Sequence, residues 1–308
     1  MRIVFCSEPF FPLRVDSAYE SETDAAQEIG FEIDLVDFEA LVNDENSIAA
    51  VRKVKEQFAP VSAIYRGWML KPETYSLLYE SLSKRNINLI NSPAEYKHCH
   101  YLPESYSIIE NHTPATIFIN QNSDFNYNEI MKTLKIFGDK PLILKDYVKS
   151  RKHEWNEACF IPSASNREAV ERVVKRFVEL QGDDINEGLV FREFVEFQPL
   201  AAHSKSQMPL TKEFRLFFLD GELHNCFEYW DEGDYSENRP PEKIFADVAK
   251  QIKSRFFTMD IAQQIDGEWL IVELGDGQVA GLPDNADVTK FYQSLRNKLE
   301  KNSPNFNG

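Results

Sequence analysis

Two Asp-Gly dipeptides, Asp220-Gly221 and Asp266-Gly267, each stand between runs of apolar residues. A two-residue type I′ hairpin loop needs positive φ at both central positions, and Asp-Gly meets that need at low steric cost. The dipeptides therefore commit residues 197 onward to antiparallel hairpins. A helix over 241–254 separates them, and another helix closes the chain. The first 92 residues follow a different plan. Strands are expected at 2–6, 31–38, 61–65 and 87–90. Between them, Ile48, Val51, Val54 and Phe58 recur at helical spacing, as do Tyr75, Leu78, Tyr79 and Leu82 after Pro72. Strands alternating with helices predict an α/β domain with a mainly parallel sheet.

Between these regions, Asn91-Ser92-Pro93 marks a boundary. Strands are expected at 116–119, 141–147 and 188–197. A helix between the last two is capped by Asn166, carries the stripe Val170, Val173, Val174 and Phe177, and stops at Gly182. The expected domains are 1–92, 93–195 and 196–308, a division that 308 residues support.

Composition narrows the partners. The formal net charge is −16, which repels a polyanion over most of the surface and disfavours DNA or RNA. A nucleotide needs only a local cluster of cations. No apolar run approaches the ~20 residues of a membrane span, and the N-terminal stretch lacks the pattern of a signal peptide, so a cytoplasmic protein is expected. Cys6, Cys99, Cys159 and Cys226 form no CxxC pair, and neither a disulfide framework nor a zinc site is expected. His98, Cys99 and His100 are consecutive on an expected helix and point in different directions, against a metal cluster. Neither a Walker loop nor a dinucleotide fingerprint occurs.

Counting back from a two-residue loop at Asp266-Gly267 sets Asp260 directly opposite Glu273 among apolar neighbours. Opposed carboxylates repel. Two readings stand: a solvated acidic face, or a pair that takes a cation between them, with oxygen ligands suiting Mg²⁺ that carries phosphates. Asp276 is a third acidic candidate. The same count on the first hairpin opposes Glu213 to Glu228 and Arg215 to Cys226. Arg215 there is either a phosphate ligand or part of a salt-bridged sheet surface. Lys145 lies within the apolar strand PLILKDY, where a bare ammonium is costly unless it meets an anion. Lys149, Arg151 and Lys152 follow at once. A solvated basic loop explains those three but not Lys145; a phosphate chain explains all four.

In their order, these pieces resemble the ATP-grasp superfamily, in which ATP lies between two α+β lobes. YRGW at 65–68, INSP at 90–93, KDYVKS at 145–150, EFRLFF at 213–218 and VELGDGQVAGLP at 272–283 resemble more narrowly its R-two-K clade. The resemblance implies an α/β plus α+β architecture: a Rossmann-like N-terminal domain, then a two-lobed ATP-grasp domain with an antiparallel sheet in its C-terminal lobe. It implies ATP and Mg²⁺ as cofactors. Lys145 matches the strand lysine on the α-phosphate and adenine N7, and Lys97 an earlier phosphate-binding lysine. Glu193, Phe194 and Val195 match the hinge whose backbone holds the adenine edge, with Glu196 toward the ribose. Lys149 to Lys152 occupy the loop that closes over the phosphates, Arg215 the place of a γ-phosphate ligand, and Asp260 and Glu273 the metal-bridging carboxylates. Two departures stand out. The family loop is rich in glycine and serine where this one is rich in lysine and arginine. The usual Glu-x-Asn is replaced by Glu273-Leu274-Gly275-Asp276, which makes Asp276 a third candidate metal ligand at a different spacing.

The expected reaction follows from the charges. A carboxylate attacks the γ-phosphorus of ATP, and an amine displaces phosphate from the resulting acylphosphate. An amino acid, peptide or protein tail is the expected substrate. Arg66, at the end of a predicted parallel strand, is placed to clamp a substrate carboxylate or to form a salt bridge. The stretch from Phe227 to Glu232, aromatic and acidic, suits a cationic amine or a peptide, or is plain surface. Competing readings are a non-catalytic ATP-binding module, a nucleotidyltransferase or nucleic-acid ligase with a lysine nucleophile, and a kinase that forms no amide.

Overall fold

The computed structural model describes residues 1–120, 125–202, 209–235, 239–241 and 243–302. The chain forms two compact units. One holds Met1–Cys99, Leu200–Asp260 and Leu274–Gly308; the other holds His100–Pro199 and Ile261–Glu273.

The first unit opens with β1 (Arg2–Glu8), β2 (Phe11–Val15), α1 (Glu20–Ile29), β3 (Glu32–Val36), α2 (Phe38–Val42) and α3 (Ser47–Ala50). It continues with β4 (Val61–Arg66), α4 (Pro72–Ser83), β5 (Ile87–Leu89) and α5 (Pro93–His100). β1 pairs in parallel with β3 and β4, and β4 with β5, as the alternation predicts. β1 is buried on both faces, which is why it reads as an unbroken apolar run. β2 was not foreseen. It pairs antiparallel with only Ser7 and Glu8 of β1. Its Phe11 and Leu13 are exposed, so burial leaves no alternating pattern to read. Pro72 occupies the first turn of α4, with Tyr75, Leu78 and Leu82 fully buried. The helix expected through Ile48 to Phe58 shrinks to the single turn of α3: Val51 and Val54 are buried, but Ile48 and Phe58 point to solvent.

The second unit contributes α6 (Leu102–Ile109), β6 (Thr116–Asn120), α7 (Tyr127–Leu134), β7 (Leu142–Asp146), β8 (Phe160–Ile161), α8 (Arg167–Gln181) and β9 (Gly188–Glu193). Its sheet has the order β6-β9-β7-β8, antiparallel throughout. The Asn166 side chain accepts from Ala169 N–H, and Gly182 with φ +53° ends α8, as expected. Val170, Val173, Val174 and Phe177 meet Leu142, Leu144, Leu189 and Phe191 in one core. A fully buried side chain of this size contributes about 1.5–3 kcal/mol.

The chain then runs through β10 (Pro199–Ala202) and β11 (Pro209–Thr211), which pair with each other, then β12 (Glu213–Leu219), β13 (Glu222–Glu228), α9 (Ala246–Ala249), β14 (Phe256–Gln263), β15 (Trp269–Asp276) and α10 (Val288–Asn302). A four-stranded sheet has the order β13-β12-β14-β15. The helix expected over 241–254, of which Glu242 lies outside the described residues, is helical only at α9; Phe245, Val248, Ala249 and Ile252 are nevertheless buried. No helix among the described residues is long and apolar enough to cross a membrane.

The structure groups the chain differently from the three expected segments. Ile3, Phe5 and Ile64 of the parallel sheet share a core with Phe217 of β12, Phe256 of β14, and Phe291, Tyr292 and Leu295 of α10. Alternate residues of β1, Val4 and Cys6, face a second core with Tyr75 and Leu78 of α4. Period-two alternation thus gives the sheet two apolar faces, and one of them is covered by sequence more than 200 residues later.

Candidate active site

In the second unit, β7 carries Lys145 with only 8% of its surface exposed. The anion that the buried ammonium needs is Glu273: Lys145 Nζ donates to Glu273 Oε1 at 2.6 Å. Dehydration alone would raise the Glu273 pKa. The charge and hydrogen bond of Lys145, followed by the charges of Lys152 and Arg192, outweigh it and hold the carboxyl below its ordinary value.

Arg192, next to last in β9, is buried beside that pair. It donates to the Val272 carbonyl at 2.5 Å, to the Ile271 carbonyl at 2.9 Å and to Thr113 Oγ1. Burial lowers its pKa to about 10, against the raising influence of Glu273.

The basic loop is tied at its start by Asp146, which is fully buried. Asp146 Oδ1 accepts from Val148 N at 2.7 Å and Lys149 N at 2.5 Å, while Oδ2 accepts from Gln181 Nε2 and from Asn186 N and Nδ2. Lys149 and Lys152 are exposed. Arg151 instead turns back to Glu154 and Gln181. In place of a glycine-rich loop come a 3₁₀ turn at Lys152–Glu154 and one π-helical turn at Trp155–Cys159. Trp155 stacks on Phe160 with ring centroids 5.4 Å apart, and Phe194 meets both rings edge-on.

The expected hinge is partly committed to the fold. Glu193 N donates to the Ala115 carbonyl and Phe194 N to the Pro141 carbonyl. The Glu193 carboxylate pairs with Lys140 at 2.7 Å. Of the three hinge N–H groups, Val195 alone has no acceptor among the described residues. Glu196 is exposed.

In the first unit, Arg215 of β12 grips Asp260 of β14 with two hydrogen bonds, Nε to Oδ1 at 2.9 Å and an Nη to Oδ2 at 2.8 Å. Its guanidinium also lies 4.7 Å from the centroid of the Tyr229 ring and donates to the Gly281 carbonyl. Asp260 is 5% exposed. Lys97 lies in α5 and is half-buried.

Several expectations need correction. The first hairpin does turn at Asp220-Gly221, with φ +51° and +77°. A bulge at Phe217/Phe218 then shifts the register, so Arg215 opposes Phe227 and Phe214 opposes Glu228. At the second hairpin only Gly267 has positive φ. Gly267 N donates to the Gln264 carbonyl and Gln264 N to the Glu268 carbonyl, which makes a three-residue loop. Asp-Gly suits both loops, because the glycine alone can supply the left-handed residue of the longer one.

Asp276 is held by hydrogen bonds on both carboxylate oxygens. It is fully buried, Oδ1 accepts from Gln278 N and Nε2, and Oδ2 accepts from Asn91 Nδ2 at 2.6 Å. Burial pushes its pKa up to about 7. Of the two roles open to Arg66, the structure shows the salt bridge. Arg66 is fully buried, forks onto Glu22 at 2.9 and 2.8 Å, and donates to the carbonyls of Gly277, Gln278 and Ala280. Three of the singled-out motifs, YRGW, INSP and GDGQ, thus meet in one buried network that ties residues 276–280 to the parallel sheet, through Tyr65 N to Gln278 Oε1 and Asn91 to Phe256. Sequence reasoning passed over Arg192 and Asp146 as site-building residues. Both are charged residues inside apolar strands, the same signal that singled out Lys145.

Among the described residues, no group of three or more His, Cys, Asp or Glu could hold a metal ion unaided. A carboxylate with the remaining ligands from phosphate and water suits Mg²⁺ better than zinc.

The family ATP-grasp domain, R2K clade family 3, matches residues 135–295. Among solved structures, the chain is similar to a RimK domain ATP-grasp protein from Sphaerobacter thermophilus, with 14% identity, 96% of this chain and 98% of that one covered, and a TM-score of 0.60. It is similar to the ATP-grasp ligase PsnB complexed with a minimal precursor, Mg and ADP, at 14% identity, 97% and 98% coverage, and a TM-score of 0.55. It is also similar to D-alanyl-alanine synthetase A from Vibrio cholerae, at 10% identity, 98% and 99% coverage, and a TM-score of 0.56. No curated protein matches.

Proposed function

Because the chain belongs to the ATP-grasp domains of R2K clade family 3, we propose that it is a ligase that uses ATP and Mg²⁺ to join a carboxylate to an amine. The observation that carries this reading is the buried Lys145 ammonium beside Glu273, with Arg192 and Lys152 adding positive charge around a single carboxylate. That surplus attracts a polyanion in a chain whose net charge is −16.

Asp260 and Glu273 would hold Mg²⁺. Bound there, the ion supplies Lewis-acid neutralisation of the phosphate oxygens. Lys145, Lys149, Lys152 and Arg215 bind and orient the phosphates and offset the charge that grows on the transferred phosphoryl group. Lys97 is assigned to the same phosphates. Val195 N–H offers a donor to the adenine edge, and Glu196 a carboxylate to the ribose. The substrate carboxylate oxygen attacks the γ-phosphorus, and ADP departs. The amine nitrogen then attacks the acyl carbon, and phosphate leaves with the P–O–C bridge broken on the carbonyl side. No side-chain nucleophile is needed, and the chemistry relies on position and charge. The substrate class is an amino acid, peptide or protein tail. Support comes from the relatives, since PsnB is complexed with a precursor peptide and a D-alanyl-alanine synthetase shares the fold.

Two of the proposed phosphate cations already pair with a proposed metal carboxylate, Lys145 with Glu273 and Arg215 with Asp260. Mg²⁺ and ATP would therefore displace two ion pairs. Calorimetry of ATP with and without Mg²⁺ tests the reading. Wild type is expected to bind ATP with Mg²⁺, and an Asp260→Asn/Glu273→Gln variant to lose that dependence. ADP release in a screen of carboxylate and amine pairs, requiring both partners, identifies the substrates. Folded wild-type protein that fails to bind ATP would overturn the proposal, and phosphorylated product with no amine requirement would make the protein a kinase instead.

A further inference from the structure

Arg192 is a buried cation with no carboxylate in hydrogen-bonding contact among the described residues. Two of its nitrogens are spent on main-chain carbonyls, those of Ile271 and Val272, and on the Thr113 hydroxyl; Nε has no partner among the described residues. Burying a guanidinium against neutral groups is costly, and apolar residues would fill the same space at less expense. The carbonyls it holds belong to the two residues immediately before Glu273. Thr113 strengthens the grip, because its hydroxyl donates to the same Ile271 carbonyl at 2.7 Å. Arg192 is anchored in turn at the centre of its sheet, opposite Thr116 of β6 and Ile143 of β7. A rigid antiparallel sheet therefore fixes the backbone from which Glu273 projects.

We infer that Arg192 is a positioning residue that sets the place of the Glu273 carboxylate for Mg²⁺ by clamping the Ile271 and Val272 carbonyls. The inference rests on the proposal that Glu273 takes the metal. The planar guanidinium is suited to the task, since its fork reaches two successive carbonyls at once, which a lysine ammonium on a flexible stem does not reproduce. Residues that orient a metal ligand typically matter about 10- to 100-fold in metal affinity.

The test is calorimetric ATP binding across a Mg²⁺ titration for wild type, Arg192→Met, Arg192→Lys and Thr113→Val, each first shown to melt cooperatively. Arg192→Met is expected to raise the Mg²⁺ concentration for half-maximal binding by about tenfold or more. ATP affinity at saturating Mg²⁺ should return to within about twofold of wild type, and metal-free ATP binding should change little. Arg192→Lys should behave like the methionine variant, and Thr113→Val should lie between it and wild type. If Arg192→Met does not fold, the lysine and valine variants decide the matter alone. An unchanged Mg²⁺ midpoint in the folded variants overturns the inference. So does recovery by lysine, which would assign the effect to charge, and so does an affinity loss that saturating Mg²⁺ fails to restore. Wild type that binds no ATP at any Mg²⁺ concentration would instead sink the proposed function, and the inference with it.

Discussion

Glu273 owes its lowered pKa largely to the charge and hydrogen bond of Lys145. A charge-assisted hydrogen bond between such groups is worth about 1.5–3 kcal/mol. Lys145→Met is therefore expected to weaken ATP binding roughly 10- to 100-fold in the calorimetric assay, with the Glu273 carboxyl titrating higher than in wild type. Asp276 makes the opposite prediction for stability. Its carboxyl titrates at about 7 in the folded chain and near 4 when unfolded. Between those values the folded state binds more protons, so this group's contribution falls as pH rises from about 4 to about 7. Asp276→Asn removes that contribution. Thermal melts at pH 5 and pH 8 should show a larger drop in Tm for wild type than for the variant, and parallel drops would disprove the assignment. The sequence made Lys145 legible because an ammonium in an apolar strand demands an anion. It did not separate Asp276 from a metal ligand, since a buried carboxylate held by Asn91 and Gln278 has the same local sequence as one that faces a cation. Arg66 misled for the same reason: its position at the end of β4 was correct, but Glu22, 44 residues earlier, already takes its fork.

Hairpin and helix boundaries show which local rules survive folding. The cap of α8 was readable because Asn166 satisfies Ala169 N–H within four residues. Asn166→Ala is expected to destabilise the protein by about 1 kcal/mol, measured by denaturant unfolding. Gly221, at φ +77°, tolerates no side chain cheaply, so Gly221→Ala should also lower the melting temperature. Registers were less legible. A bulge at Phe217/Phe218 displaces the count on the first hairpin by one, and the second hairpin turns through three loop residues rather than two; neither leaves a mark beyond the Asp-Gly that both share. The loop from Lys152 to Cys159 is held by Trp155 against Phe160 and Phe194, the latter in the proposed adenine-binding hinge. ATP binding should therefore change tryptophan fluorescence, and Trp155→Phe should abolish most of the change while the other three tryptophans remain.

At the scale of the whole chain, the sequence order of α/β, antiparallel and hairpin regions was enough to indicate the fold. It was not enough to show that α10 returns to the first unit. That packing rests on contacts such as Tyr292 Oη to Glu22 and Phe291 against Phe217, whose partners are far apart along the chain. Removal of residues 288–308 should accordingly unfold the parallel sheet, seen as a loss of cooperative melting. With a net charge of −16, the protein is expected to leave labelled DNA and RNA unshifted at physiological salt.

The pairing of Lys145 with Glu273 and of Arg215 with Asp260 has a thermodynamic corollary. At the proposed site, a metal ion arriving alone would have to draw carboxylates from their cations and leave those cations unmatched. Phosphates arriving alone would strand the carboxylates in the same way. Only the two together find a partner for every charge, so metal and nucleotide should bind with positive linkage, each tightening the other by one common factor. The protein would then act as a coincidence detector for the complex of Mg²⁺ with ATP and respond weakly to either component by itself.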